Sequence, residues 1–171
     1  TLSNIIPEIG WTLTNYVTGL FLVSRTGQIY EEAEIELGDY VRSRLPSLQL
    51  ELEKGYGELV FFDNEFVQYG KDKLGDYFLL IGRKIIDIDT FKDNGYVIIA
   101  VQEPKIWECI NGDEDLGELY LLNASGKIIS GRQKNQIATF LPEQYKNMIT
   151  APDLLAREAS YLKKSFIFNY V

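Results

Sequence analysis

The chain has 171 residues, of which 46% are hydrophobic and 25% are charged, and its formal net charge is −8. This composition is typical of a folded protein with a sizeable core, and it excludes a disordered chain. The excess of acidic side chains argues against nucleic-acid binding and against a polybasic membrane-surface mode, because both need clustered Lys and Arg.

Two residue types limit the chemistry further. The chain has no His, which removes the commonest general base and metal ligand, and one Cys, Cys109, so no disulfide forms within it. Ser-His-Asp and Cys-His catalysis are therefore excluded. Because the chain begins at Thr1 and has only Met148, we expect a segment of a longer protein, with any membrane anchor outside it.

The N-terminal residues have a helical pattern. Apolar side chains recur at spacings of three and four, at Leu2, Ile5, Ile6, Ile9, Leu13, Tyr16, Val17, Leu20 and Phe21. This period predicts a long amphipathic helix. A second helix is predicted from Gln28 to Leu45, ended by Pro46.

After Gly55 the pattern changes to that of strands. Residues 58–63 and 65–69 predict a hairpin with its corner at Asp63-Asn64. Residues 76–86 predict a long strand, and residues 96–102 the next one.

The C-terminal third is mixed. Residues 104–110 predict a short helix, residues 118–123 and 127–130 a second hairpin, residues 153–163 a helix, and residues 166–171 a last strand. Two long helices followed by mostly antiparallel strands indicate an α+β fold.

Carboxylate chemistry remains the one enzymatic possibility. The tightest acidic clusters are Asp87, Asp89 and Asp93, then Asp113, Glu114 and Asp115. Turns favour Asp, so solvated turns are the simpler interpretation. EF-hand spacing fails from Asp87 and from Asn111, and no metal or cofactor is expected.

One strand suggests a binding site. Alternation along residues 76–86 places Tyr77, Leu79, Ile81, Arg83, Ile85 and Asp87 on one face. We hypothesise that this face lines a small-molecule pocket in which Arg83 clamps a carboxylate and Asp87 holds an amine. The alternative is surface pairing at a strand end. Trp107 either stacks on the ligand or packs in the core. The candidate ligand-binding residues are thus Tyr77, Arg83, Asp87 and Trp107.

Three segments, in their order, resemble a known family. Residues 82–86 (GRKII), 94–102 (NGYVIIAVQ) and 118–130 (ELYLLNASGKIIS) are similar to the extracytoplasmic Cache (PAS-like) sensor region of Gram-positive membrane histidine kinases. The most similar type is paired with AraC-like response regulators. Asn123 replaces an aspartate of the family's hairpin, while residues 126–129 (GKII) fit its pattern.

The resemblance implies three segments. Residues 1–50 would form N-terminal stalk and dimerisation helices, residues 51–111 a membrane-distal PAS-like lobe, and residues 112–171 a membrane-proximal lobe that is incomplete at its end. The implied fold is therefore α+β, with long N-terminal helices followed by PAS-like (Cache) antiparallel sheet lobes.

The resemblance also implies a function. The chain would be the extracellular ligand-sensing domain of a two-component histidine kinase, without enzymatic activity of its own. An unknown small molecule would shift helix packing in a homodimer, anchored in the cell membrane by segments outside this chain. The alternatives are a protein-interaction sensor without a small ligand, and a hydrolase with two carboxyl groups facing each other across a cleft.

Overall fold

The structure is a computed structural model. It describes residues 16–69, 74–87, 89–111, 119–123 and 125–141, and the backbone of residues 156–161 and 164–169. The chain divides into two compact units, Thr1–Glu103 and Pro104–Val171. The boundaries predicted at residues 50/51 and 111/112 stay a prediction.

The first unit is built on one antiparallel sheet. Its elements in chain order are β1 (Gly19–Ser24), β2 (Ile29–Glu32), α1 (Ile35–Glu53), β3 (Val60–Phe61), β4 (Glu65–Tyr69), β5 (Leu74–Ile86) and β6 (Asp93–Gln102). The order across the sheet is β2-β1-β6-β5-β3, and β4 also pairs with β5. The α+β class with antiparallel strands is therefore confirmed.

Helix α1 covers one face of this sheet, which we call the inner face. Alternation along β5 turns Phe78 and Leu80 toward the helix, and both are fully buried. The helix contributes a stripe at helical spacing, namely Leu37, Val41, Leu45, Leu48 and Leu52, which packs in the same core. The opposite, outer face of the sheet carries a second apolar cluster that includes Leu20 and Leu22.

The helix predicted over residues 2–21 is wrong at its C-terminal end, and residues 1–15 lie outside the described residues. Leu20 and Phe21 belong to β1. Leu20 and Leu22 face outward, while Phe21 and Val23 face the core, and all four are buried. A strand buried on both faces has a continuous apolar run, which helical spacing also fits, so the period alone could not separate the two.

The helix predicted from Gln28 to Leu45 is also wrong at both ends. Residues Ile29–Glu32 form β2, a hairpin partner of β1, and the helix begins only at Ile35. It continues through Pro46 to Glu53. Proline deletes one backbone hydrogen bond and crowds the preceding turn, but the buried leucines on both sides of Pro46 hold the helix together.

The predicted hairpin at Asp63-Asn64 is wrong, although both of its strands exist. Strand β3 pairs with Ile81 and Gly82 of β5, and β4 pairs with residues 74–78 of the same strand. The two strands therefore lie end to end along one edge of β5. Residues 62–64 connect them without reversing the chain, and Phe62 still donates its backbone N–H to Leu80.

The long strand β5, its partner β6 and the following helix α2 (Glu103–Ile110) confirm the prediction for residues 76–110. In the second unit, β7 (Tyr120–Leu122) and β8 (Ile128–Gly131) form the predicted second hairpin. The side-chain oxygen of Asn123 accepts backbone N–H groups of Ser125 and Lys127 in its turn. A short 3-10 helix follows at Lys134–Gln136.

The helix predicted over residues 153–163 is wrong in its described part. Residues Ala156–Tyr161 form β9, which pairs with β10 (Lys164–Asn169), the strand predicted from residue 166 onward. Strand pairing overrides the helix propensity of this segment, because propensity is only a weak local preference. The acidic cluster at residues 113–115 lies outside the described residues.

Candidate functional site

The outer face of β5 holds two of the four candidate ligand-binding residues, and a third follows the strand directly. Tyr77 is half-buried, and its ring lies edge-on to Phe66 of β4 with 5.2 Å between ring centroids. Arg83 is exposed and lies opposite Val97 of β6. Asp87 follows the last residue of the strand.

Asp87 holds a turn. Its carboxylate oxygen Oδ1 accepts the backbone N–H groups of Asp89 (3.0 Å) and Thr90 (2.8 Å). The hydrogen bond from the Thr90 backbone holds the pKa of Asp87 below its ordinary value of 3.8. Asp87 also accepts, at its carbonyl, the N–H of Phe91. The observed partners of this carboxylate are therefore those of a turn residue.

Distance separates these residues further. A strand rises about 3.3 Å per residue, so Tyr77 and Arg83 are roughly 20 Å apart along β5. A small molecule does not span that distance. A ligand on this face would contact Arg83 or Tyr77, but not both.

Trp107 lies in the second unit, on α2, and is half-buried. The Nζ atom of Lys134 stands 5.5 Å from the centroid of its ring, which is a cation–π contact. Cys109, on the same helix, is exposed.

The inner face of β5 holds a cluster of charged residues that the sequence analysis did not select. Lys84 lies on the same face as Phe78 and Leu80, and its side chain is only 9% exposed. Its Nζ atom is 2.8 Å from Glu53 Oε2, at the end of α1, and 3.6 Å from Asp93 Oδ2, at the start of β6. Tyr96, directly opposite Lys84 across the strand pair, donates its hydroxyl to Glu53 Oε1. We call these four residues the Lys84 cluster.

The electrostatics of the Lys84 cluster follow from these contacts. The hydrogen bond with Glu53 raises the pKa of Lys84, and the ammonium group in turn holds the pKa of Glu53 below its ordinary value of 4.5. Burial, together with the negative charge of Glu53, raises the pKa of Tyr96 to about 12. At neutral pH Lys84 is therefore a cation, Glu53 a carboxylate and Tyr96 a neutral phenol.

The two acids of the cluster are more open to water than its other two members. The side chains of Glu53 and Asp93 are about half exposed, whereas those of Lys84 and Tyr96 are buried. A buried ammonium needs a negative partner, because an unpaired charge in the interior is costly. The inner face thus presents a cation at its buried end and two acids at its rim.

The sequence carried a signal for Lys84. In the alternation of β5 the inner-face positions are Phe78, Leu80, Gly82, Lys84 and Ile86, and a single Lys interrupts an otherwise apolar face. The cluster could not have been assembled from sequence, since its carboxylates lie 31 residues before and 9 residues after Lys84. The pairing of these segments depends on the fold.

The described part of the chain has no group of three His, Cys, Asp or Glu side chains of the kind that a metal site would require. Neither α1 nor any other helix in that part has the length and apolar character to cross a bilayer.

Comparison with known proteins places the fold. No protein-family model and no curated protein matches the chain. The ligand-binding domain of the Pseudomonas fluorescens chemoreceptor CtaA, solved with L-serine, matches with a TM-score of 0.62 and 17% identity over 91% of this chain and 66% of that one. The ligand-binding domain of the Pseudomonas aeruginosa amino-acid chemoreceptor PctC, solved with GABA, matches with a TM-score of 0.59 and 12% identity over 94% and 69%.

A third neighbour is the periplasmic sensory domain of a Campylobacter jejuni chemoreceptor, with a TM-score of 0.53 and 19% identity over 82% of this chain and 59% of that one. The chain thus spans about three fifths to two thirds of the length of these domains. All three belong to chemoreceptors and give no support to the histidine-kinase and AraC-partner part of the resemblance. The chain has the fold of Cache-like periplasmic ligand-binding domains.

Proposed function

We propose that the chain is the extracytoplasmic signal-input domain of a membrane-anchored signalling protein, and that it binds a small molecule carrying a carboxylate. The observation that carries this proposal is the fold, shared over 91% of the chain with the ligand-binding domain of a chemoreceptor solved with L-serine. The Lys84 cluster supplies a group suited to a carboxylate. In this proposal the chain itself catalyses no reaction and needs no cofactor.

The parent protein is part of the proposal. We propose a homodimeric receptor in the cell membrane, with this domain on the extracellular side and anchors outside residues 1–171. A membrane-distal lobe and a membrane-proximal lobe would follow one another along the chain. A histidine kinase and a chemoreceptor are both compatible with this arrangement. The coding sequence after Val171 decides between them, since a kinase core or a methyl-accepting region would follow the second membrane span.

The ligand-binding face is tested by two adjacent residues. Arg83 and Lys84 lie on opposite faces of β5, so Arg83→Ala changes the outer face and Lys84→Gln the inner face. The outer-face proposal keeps Tyr77 and Asp87 as further candidates, with one ligand contacting Arg83 or Tyr77 but not both, and Trp107 would line a separate ligand site in the second unit.

The experiment is a thermal-shift screen of the purified chain against amino acids, organic acids, sugars, nucleobases and calcium. A ligand at about 100 times its dissociation constant adds roughly 2.7 kcal/mol of stability. For a domain of this size that corresponds to a melting temperature about 5–10 °C higher. Loss of the shift in only one of the two variants assigns the face. A screen in which no carboxylate raises the melting temperature would contradict the proposal.

The protein-interaction alternative is favoured by one observation. Tyr56, in the loop after α1, and Phe91, in the turn between β5 and β6, are 89% and 81% exposed. The sheet register puts both loops at the same end of the first unit. Phe91 also has a left-handed backbone (φ 54°), which is unfavourable for a bulky residue and here brings no burial in return. We expect a partner protein that binds this end to lose affinity for the Phe91→Asn variant. Asparagine is the replacement because it tolerates a left-handed backbone.

The hydrolase alternative is weakened by the Lys84 cluster. A glycosidase needs one carboxylic acid with a raised pKa as the proton donor. In the cluster, Lys84 lowers the pKa of Glu53 instead. Glu53 is therefore a poor general acid.

A further inference from the structure

The buried end of the Lys84 cluster has two donors aimed at one carboxylate. Lys84 Nζ lies 2.8 Å from Glu53 Oε2, and the Tyr96 hydroxyl donates to Oε1 of the same group. Both oxygens of Glu53 are thus bound by buried donors. Any carboxylate in this position would receive the same two hydrogen bonds, because the donors belong to the sheet and not to Glu53.

The carboxylate now in this position comes from a side chain that can leave. Glu53 is the last residue of α1, and its side chain is 47% exposed. If it turned into water it would be hydrated, and a second carboxylate would keep Lys84 neutralised. The exchange keeps a carboxylate in close contact with Lys84, whereas removal of Glu53 without replacement leaves Lys84 with the more distant Asp93, whose Oδ2 is 3.6 Å from Nζ. The site therefore favours carboxylates over neutral molecules and cations.

The exchange would change the end of α1. The last turn holds Glu51 and Glu53, so two negative charges stand at the negative end of the helix dipole. The C-cap residue Lys54 pairs with Glu51, and Lys84 offsets Glu53 from another element. Pro46 lies seven residues earlier and interrupts the backbone hydrogen bonds there. After Pro46, only Leu48 and Leu52 of the helix are buried.

We propose that Lys84 and Tyr96 form the binding site for the carboxylate of the signal molecule, and that Glu53 occupies this site in the ligand-free protein. Ligand binding exchanges one carboxylate for the other and frees the last turn of α1 from the sheet. This inference rests on the proposed function and names the group that recognises the ligand, together with the first structural change.

The test uses the whole chain with Glu53→Ala, which removes the internal carboxylate, and acetate as the probe. The matched control is Glu51→Ala, an acid of the same turn whose partner is the exposed Lys54. We expect acetate, at constant ionic strength, to raise the melting temperature of Glu53→Ala saturably and to leave Glu51→Ala unchanged. An equal response of both variants would overturn the site.

Two further variants identify the donors. Adding Tyr96→Phe to Glu53→Ala removes one hydrogen bond to a charged group, and we expect acetate to bind about tenfold more weakly or worse. Adding Lys84→Gln should abolish the response. Because Lys84→Gln can fail for reasons of stability, Tyr96→Phe is the decisive variant, and an unchanged affinity for acetate there would contradict the proposal.

Hydrogen exchange tests the release of the helix end. In Glu53→Ala with saturating acetate, amides of residues 50–59 should exchange faster than in the wild-type chain, while those of β5 and β6 keep their protection. Wild-type protection at residues 50–59 would overturn the release step.

The two proposals can fail separately. If the unmodified chain responds to a ligand that Lys84→Gln still binds, the sensor function stands and the exchange is wrong. If acetate binds Glu53→Ala as expected but no compound in the screen shifts the wild-type chain, the carboxylate site stands and small-molecule sensing is wrong.

Discussion

At the scale of single residues, Gly95 shows how closely the central strands approach. It lies in β6 between β1 and β5, with a φ of +132°, and a Cβ built on it would stand 2.0 Å from the carbonyl oxygen of Val23. Neither the conformation nor the space admits a side chain.

The first prediction compares two glycines. We expect Gly95→Ala to lower the free energy of unfolding by about 3 kcal/mol or more, because backbone strain and overpacking add. Gly27→Ala, also at positive φ but with no atom within 4 Å of its Cβ, should cost about 1 kcal/mol. Urea denaturation measures both, and equal losses would contradict the close approach of β6 to β1.

Residue-scale reasoning from the sequence identified the alternation of β5 but favoured its other face. Arg83 was the favoured candidate because it sits among apolar residues and because a guanidinium group can form bidentate hydrogen bonds. Lys84 is the stronger candidate for a binding residue on physical grounds, since an ammonium group in the interior requires charged partners. Those partners can be identified only once the positions of α1 and β6 are known.

At the scale of elements, Pro46 defines a weak point in α1. A proline in a helix interior is less favourable than alanine by roughly 3 kcal/mol, because its N–H is missing and its ring crowds the preceding turn. Arg42 lies four residues earlier, so its carbonyl lacks the usual helical donor at this position.

The second prediction follows from this weak point. Pro46→Ala should raise the free energy of unfolding, by up to about 3 kcal/mol. Pro104, in the first turn of α2, needs no helical N–H, so Pro104→Ala should change stability by less than about 0.5 kcal/mol. Urea denaturation of both variants checks this, and a loss of stability in Pro46→Ala would show that the helix is fitted to its proline.

Which elements could be predicted depends on how local their signals are. Strand β5, strand β6, helix α2 and the hairpin of β7 and β8 have clear turns and periods, and they were predicted. The pairing of β3 and β4 was not predicted, because long-range contacts decide whether these strands pair with each other or with β5. The predicted end of the helix at Pro46 was wrong, because the burial of leucines on both sides of the proline outweighs its local cost.

At the scale of the whole molecule, stability should decline at both ends of the pH range. The pKa values of Glu53 and Asp87 lie below their ordinary values of 4.5 and 3.8. The contribution of these carboxylates to the free energy of unfolding is therefore complete above the ordinary pKa values, and it is lost as the pH falls through the lower pKa values of the folded protein. Tyr96 and Tyr69 have pKa values raised to about 12. Their contribution is complete below pH 10 and is lost as the pH rises toward 12.

The third prediction is therefore a pH profile of urea stability with a plateau between these limits. Glu53→Gln should lose part of the acid decline, and Tyr96→Phe part of the alkaline decline. The remainder of the alkaline decline is expected from Tyr69, Tyr40 and Lys84, whose pKa values are also raised. Unchanged declines in both variants would show that these groups titrate as they do in the unfolded chain.

The end-to-end arrangement of β3 and β4 has a consequence for association. A long uninterrupted edge strand would offer a continuous row of unpaired backbone groups, onto which the edge of a second molecule could add, and so on into a fibre. Here the row is divided into stretches of two and five residues by residues 62–64. The interruption removes the continuous row of backbone groups that edge-to-edge association requires, so we expect this edge of the sheet to resist fibre growth at high protein concentration.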